Sequence, residues 1–129
     1  MIKINASVGE LLDKISILKI KEQKINNEKK LLNITKELGL LSSIAEKFIE
    51  KDEKSYKKFM DELFEINLQL WETEDNIRIL ENKKNFNDEF IQLARNVYYS
   101  NDKRFEIKSK INNFYGSEIV EEKDYEDYS

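Results

Sequence analysis

The sequence predicts an all-α fold, an antiparallel up-down helical bundle that ends in a long C-terminal helical hairpin. Three observations lead to this prediction. The 129 residues include no proline and only three glycines, so few positions interrupt a helix. Apolar residues recur at alternating spacings of three and four, the period of helices packed as in a coiled coil. Hydrophobic residues make up 40% of the chain, which suffices for one core in a chain of single-domain length.

The first helix is expected to begin at about Val8. Residues 2–5 alternate apolar and polar side chains, which allows a short N-terminal strand ahead of it. Ser7 and Glu10 then match a capping box. In this motif the Ser7 hydroxyl accepts a hydrogen bond from the Glu10 amide, and the Glu10 carboxylate accepts one from the Ser7 amide. The apolar stripe that follows comprises Val8, Leu11, Leu12, Ile15 and Leu18, with Ile17 and Ile20 on a second side.

The second and third helices continue this pattern. Asn27 is suited to cap the second helix, and Gly39 is expected to bend or end it. The third helix is expected from about Glu53 and carries the longest stripe, over roughly 30 residues, or about 45 Å. An added apolar flank on that helix, formed by Met60, Phe64 and Trp71, predicts a second neighbour for it.

The fourth helix follows a short polar turn, so it should run antiparallel to the third. Asn85 or Asn87 can cap its start, and Gly116 can end it. Residues 117–129 contain six acidic residues and one lysine, so this segment has a net charge of −5. Because the whole chain has a net charge of −4, residues 1–116 have a net charge of +1. The sequence therefore predicts a single helical domain over residues 1–116 and an acidic tail over residues 117–129, with a disordered end.

Polar residues interrupt the apolar seam of the predicted hairpin. In the fourth helix the seam positions after Val97 are Asn101, Arg104 and Lys108. In the third helix Thr73 interrupts the seam, and the Glu74–Asp75 pair lies beside it. A hairpin turning near residue 84 would face Glu74 toward Arg95 and Asn67 toward Asp102.

The three arginines stand out, since the other 19 basic residues are lysines. A guanidinium binds carboxylate or phosphate through two parallel hydrogen bonds, which a lysine cannot do. Glu74 lies one helical turn before Arg78, so it could bridge Arg78 and Arg95. The candidate ligand-binding residues of this cluster are Glu74, Asp75, Arg78, Arg95, Asn101, Asp102 and Arg104.

Two interpretations of the cluster remain open. It could be a partly buried ion network that fixes the register of the hairpin. Alternatively, its arginines could converge on a cleft for a small ligand with a phosphate or carboxylate group.

Composition excludes several function classes. Without cysteine or histidine the chain has no thiolate nucleophile, imidazole base or Cys/His zinc site, and we predict no catalytic residue, metal site or cofactor. A nearly neutral body with mixed charges argues against nucleic-acid binding. No run of six apolar residues is present, which argues against a membrane segment and favours the cytoplasm. The second apolar flanks of the first and third helices predict a homodimer.

The motifs also resemble those of an uncharacterised bacterial family of unknown function. The likeness lies in residues 7–21 (SVGELLDKISILKIK), 70–78 (LWETEDNIR), 94–104 (ARNVYYSNDKR) and 121–125 (EEKDY). It covers nearly the whole chain and includes the polar candidate residues. The resemblance implies no activity and no ligand.

The function predicted from the sequence is a non-enzymatic interaction or scaffold module, which docks a protein partner through an aromatic helix face or the acidic segment Tyr125–Tyr128. The alternative is a small-anion binding protein or an enzyme acting on an anionic metabolite, with the arginines as clamps. In that alternative Glu74 or Asp102 would be the acid/base residue.

Overall fold

The computed structural model describes residues 1–128 and consists of four helices. They are α1 (Val8–Lys24), α2 (Glu28–Lys51), α3 (Glu53–Asn82) and α4 (Asp88–Tyr115). The connections are short, and Asp52 alone joins α2 to α3. Each helix packs on the next one along the chain, as helices with short connections do in an antiparallel bundle. The predicted antiparallel all-α bundle is therefore confirmed. No helix in the described chain is both long and apolar enough to cross a membrane.

The helix ends follow local capping rules. The side chains of Ser7, Asn27 and Asn87 each accept a hydrogen bond from the backbone amide three residues on, at 3.0–3.1 Å. Gly116 adopts φ 60° and ψ 45°, the left-handed conformation that ends α4 without the strain a side chain would add. The predicted start of α1 and the predicted stop at Gly116 are therefore confirmed.

Two local predictions were wrong, and of the two outcomes expected at Gly39 one did not occur. Residues 1–6 contain no strand, and Ile2 and Ile4 are 89% and 82% exposed, because an isolated strand has no neighbour for its backbone hydrogen bonds. The Glu10 carboxylate does not return to the cap but accepts a hydrogen bond from Lys108. Gly39 does not end α2, which continues to Lys51.

Helix α1 lies between the other three helices and places the core. It runs antiparallel to α2, where Lys14 lies 3.8 Å from Glu37, and alongside α3 in the same direction. It also packs antiparallel on α4. The core cluster, drawn from all four helices, comprises Leu12, Ile15, Ala45, Met60, Leu63, Ile66, Ile107, Ile111 and Tyr115.

Packing within one chain covers part of the surface that suggested a homodimer. Ile20 and Met60 are 1% and 6% exposed. Apolar exposure remains near the turn of the α3–α4 hairpin, where Ile79, Phe86 and Ile91 are each about half exposed, and on α2, where Leu32 and Ile44 are 72% and 53% exposed. The homodimer stays a prediction.

The segment after Gly116 runs back along α4 toward the middle of that helix. The Ser117 amide donates to the Asn112 carbonyl at 2.8 Å, and the Lys123 ammonium lies 5.3 Å from the Phe105 ring centre. Further along, the Tyr128 ring packs edge-on against α4. The acidic segment thus contacts the helical body at several points.

Candidate functional site

A buried carboxylate, Asp13 of α1, organises the middle of the bundle. It is 0% exposed, so its charge needs partners to offset the loss of water. Arg104 of α4 supplies two parallel hydrogen bonds, from Nε to Oδ1 at 2.9 Å and from Nη2 to Oδ2 at 2.5 Å. The hydrogen bonds to Asp13 raise the pKa of Arg104 above its usual value although partial burial opposes this. Arg104 is therefore a cation at neutral pH.

Ser16 and Asn67 complete the hydrogen bonding around this carboxylate. The Asn67 amide nitrogen donates to Asp13 Oδ1 at 2.9 Å and to Ser16 Oγ at 2.8 Å. Ser16 in turn donates to the Asp13 carbonyl at 2.7 Å. We refer to Asp13, Ser16, Asn67 and Arg104 as the polar layer. Since its members come from α1, α3 and α4, it fixes the register of these three helices.

Lys108 forms a second buried ionic contact one turn further along α4. Its ammonium donates to Glu10 at 2.9 Å and to Glu121 at 2.8 Å, and the residue is 6% exposed. Burial by itself would lower the pKa of Lys108, but the hydrogen bonds to Glu121 and Glu10 outweigh it and raise the pKa. Lys108 thereby ties α1 and the C-terminal segment to α4.

Gly9 allows α1 and α4 to approach at backbone distance. Its amide donates to Asn112 Oδ1 at 2.7 Å. A Cβ at this position would lie 2.7 Å from the Lys108 carbonyl oxygen, which is too close for any side chain. The close approach brings Asp13, one turn further along α1, within reach of α4.

Next to the polar layer lies a cleft of about 410 Å³ between the second half of α1 and the α3–α4 hairpin. Its apolar lining consists of Ile17, Ile20, Leu70 and Trp71. Its polar lining consists of Asn67, Glu74, Asp75, Arg78, Asn101 and Arg104. A concave, mostly apolar surface with a few fixed polar groups is typical of small-ligand sites.

Five of the seven candidate residues predicted from the sequence line this cleft: Glu74, Asp75, Arg78, Asn101 and Arg104. Arg78 pairs with Glu74 at 2.9 Å, as the spacing of one turn predicts. Arg104 also contacts Asn101, with Nη1 3.5 Å from Oδ1. The interrupted seams of the two helices therefore do meet at one concave surface.

The other two candidates, Arg95 and Asp102, lie outside the cleft. Arg95 is exposed and donates to the Tyr99 hydroxyl at 3.3 Å on its own helix, so the expected bridge from Glu74 to Arg95 does not form. Asp102 accepts a hydrogen bond from the Tyr128 hydroxyl. Both residues belong to the face of α4 that carries tyrosines and is turned away from α1.

The sequence profile described as "Family of unknown function (DUF6165)" matches residues 2–128. The chain belongs to this family. No curated protein and no solved structure is detectably similar to it. These similarities assign no function to this family member, so its function is inferred from the geometry of the site.

Two residues that organise the site of this DUF6165 member, Asp13 and Asn67, were not among the candidates predicted from the sequence. The sequence does indicate the contact made by Asp13, because Gly9, Asp13 and Ser16 are spaced at four and three, the same alternation as in the apolar stripes. A stripe of small and polar residues at helical spacing indicates a close, hydrogen-bonded helix contact. Asn67 follows Leu63 and precedes Leu70 at the same alternating spacing on α3.

Within residues 1–128 of this family member, no group of three or more acidic side chains is placed to hold a metal ion. The carboxylates of the site are divided between different partners. Asp13 faces Arg104, and Glu74 faces Arg78. The arrangement offers hydrogen-bonding groups around an apolar wall.

Proposed function

We propose that the protein is a non-enzymatic binding module that holds a small ligand in the cleft between α1, α3 and α4. The observation that carries this proposal is the meeting of five predicted polar residues with an apolar wall around one cleft of about 410 Å³. That volume lies within the usual range for small-molecule sites, roughly 300–1,000 Å³.

The polar layer supports the proposal because it holds one wall of the cleft rigid. Arg104 lines the cleft while two of its nitrogens are bound to the buried Asp13. Asn67 is held in the same way by Asp13 and Ser16. Groups whose positions are set before binding lose little freedom on binding, which favours affinity.

Binding is better supported than catalysis. Of the acid/base candidates suggested by the sequence, Glu74 lines the cleft and Asp102 does not. Glu74 is engaged by Arg78, and Asp102 by Tyr128. A general acid or base must reach the reacting group directly or through one water. Glu74 is held by an ion pair and Asp102 lies outside the cleft, so neither carboxylate is placed to act on a ligand there.

A role as a docking module for another protein has less support. The tyrosine face of α4, which fits the aromatic helix face expected to bind a partner, is covered in part by the chain itself. Tyr128 packs 5.1 Å, centre to centre, from both Tyr98 and Tyr99. The segment Tyr125–Tyr128 thus covers part of this face through Tyr128, while Tyr125 is 67% exposed.

The test uses the single tryptophan of the chain, Trp71, which lines the cleft. A panel of amines, nucleotides, sugar phosphates, dicarboxylates and amino acids is titrated while Trp71 emission and the melting temperature are recorded. We expect at least one compound to change both in a saturable way.

Matched variants locate the binding. Ile17→Phe adds bulk inside the cleft, and Ile91→Phe makes the same change at an exposed position of α4 outside it. The ligand should bind at least about tenfold more weakly to Ile17→Phe and unchanged to Ile91→Phe. Equal affinity for both variants, or a panel without any response, would contradict the proposal.

A further inference from the structure

The charges around the cleft are not balanced in favour of an anion. Arg104 is matched by Asp13, and Arg78 by Glu74. The second carboxylate that lines the cleft, Asp75, takes part in none of the ion pairs formed within residues 1–128. An anion entering the cleft would find both guanidinium groups already neutralised, whereas a cation would find an unmatched carboxylate.

Asn67 adds a hydrogen-bond acceptor at the inner end of the cleft. The residue is 5% exposed, and its amide nitrogen donates to Asp13 and Ser16. This amide orientation fits its neighbours, because the Asp13 carboxylate accepts hydrogen bonds from Arg104 and the Ser16 hydroxyl already donates to the Asp13 carbonyl. The amide oxygen of Asn67 is left without a donor from the described chain, and the residue lines the cleft. A ligand N–H group would satisfy it.

Trp71 provides a third feature that suits a cation. It precedes Asp75 by one helical turn, so the two side chains lie on the same face of α3 and both line the cleft. The indole ring attracts ammonium and guanidinium groups through its electron-rich face more strongly than any other aromatic side chain does. Beside it, Ile17 and Leu70 offer an apolar surface for the remainder of a ligand.

We infer that the cleft selects a small organic cation, an ammonium or guanidinium group carried on an apolar body. The charged head lies between the Trp71 ring and the Asp75 carboxylate, and the apolar body contacts Ile17 and Leu70. The Asn67 oxygen, about two helical turns before Asp75 on α3, receives a further N–H group of a ligand that carries one. This inference rests on the proposed function, since it names the ligand class of the same cleft.

The experiment compares three probes with the same phenyl ring and different heads: phenethylamine, 2-phenylethanol and 3-phenylpropionate. Each is titrated into the full chain while Trp71 emission, excited at a wavelength the phenyl ring does not absorb, is followed. Phenethylamine should bind at least about tenfold more tightly than the other two probes, and added salt should reduce that advantage.

Asp75→Asn and Asp61→Asn form a matched pair of variants. Both remove one negative charge from an exposed position of α3, but Asp61 lies outside the cleft. Asp75→Asn should weaken phenethylamine about tenfold and leave 2-phenylethanol unchanged, whereas Asp61→Asn should leave both unchanged.

The outcomes separate this inference from the proposed function. Tighter binding of 3-phenylpropionate overturns the inference and leaves the cleft a binding site. An equal loss in both variants also overturns it, since the attraction would then come from overall charge. If phenethylamine does not bind while another compound of the broader panel does, only the inference fails. If no compound binds, both fail.

Discussion

Two arginines of the α3–α4 hairpin each pair with a carboxylate, in different surroundings. Beside α1, the Arg104–Asp13 pair has side chains that are 28% and 0% exposed. Nearer the hairpin turn, the Arg78–Glu74 pair has side chains that are 71% and 44% exposed. The two pairs differ in exposure because α1 covers only the Arg104–Asp13 pair. A buried pair must be satisfied completely for the fold to persist, whereas an exposed pair exchanges readily with water.

Removing the buried carboxylate should have the largest effect. Asp13→Ala leaves Arg104 and Asn67 partly buried without their acceptor, which we expect to lower the free energy of unfolding by about 3–5 kcal/mol. Urea denaturation followed by circular dichroism measures this. The double variant Asp13→Leu/Arg104→Met should recover much of the loss, because it removes both charges. A loss below about 1 kcal/mol in Asp13→Ala would show that the pair is not structural.

Closing the backbone approach between α1 and α4 should have the next largest effect. Gly9→Ala places a Cβ against the Lys108 carbonyl, and the forced separation should cost about 1–3 kcal/mol. Gly39→Ala is the matched control, since nothing lies within 4 Å of its Cβ and α2 is helical there. The control should gain about 0.5–1 kcal/mol through helix propensity. Similar melting temperatures for the two variants would refute the close contact.

The Lys108–Glu121 contact should have a smaller, pH-dependent effect. The hydrogen bond from Lys108 lowers the pKa of Glu121 below its unfolded value of about 4.5. Its stabilising contribution is therefore present above pH 4.5 and is lost as the pH falls through the lowered pKa. Glu121 is about one-third exposed, so solvent screening limits the contribution to about 0.5–1 kcal/mol.

The variant Glu121→Gln tests this contribution through melting temperatures measured from pH 3 to pH 7. The variant should be less stable than the original protein at pH 7, and the difference should shrink toward pH 3. Glu118→Gln, at an exposed neighbouring position, provides the control and should follow the original protein. A constant difference across this pH range would exclude the ionised contact as its source.

The smallest effect is expected at the exposed pair. Arg78→Ala removes a contact between residues one helical turn apart, which is worth about 0.3–0.5 kcal/mol. The loss should diminish further in 1 M salt, and urea denaturation at low and high salt measures it. A loss comparable to that of Asp13→Ala would show that the buried and the exposed ion pair do not differ as described.

The sequence predicted those parts of the site that depend on nearby residues. The Arg78–Glu74 pair follows from a spacing of four on one helix, and the caps at Ser7 and Asn87 follow from a spacing of three. The interruption at Asn101 and Arg104 located the polar part of α4. All of these contacts lie within one turn, where helix geometry alone sets the distance.

The partners that lie far apart in the sequence were not predicted correctly. Asp13 and Arg104 are 91 positions apart, and their pairing depends on α1 packing against α4 rather than α2 alone. The interpretation of Arg95 failed for a related reason, since facing positions on two helices do not specify where a long side chain turns. Arg95 finds Tyr99 on its own helix instead.

By itself, the sequence determined the four helices, most of their boundaries and the hairpin that brings five polar candidates together, because helix formation and capping depend on contacts within a few residues. Only the tertiary structure decided which of those polar groups are buried and paired, and which line an open cleft. The reason is that the desolvation of a charge depends on how closely a third helix approaches. Here that approach rests on Gly9, a residue whose importance lies in what another helix places beside it.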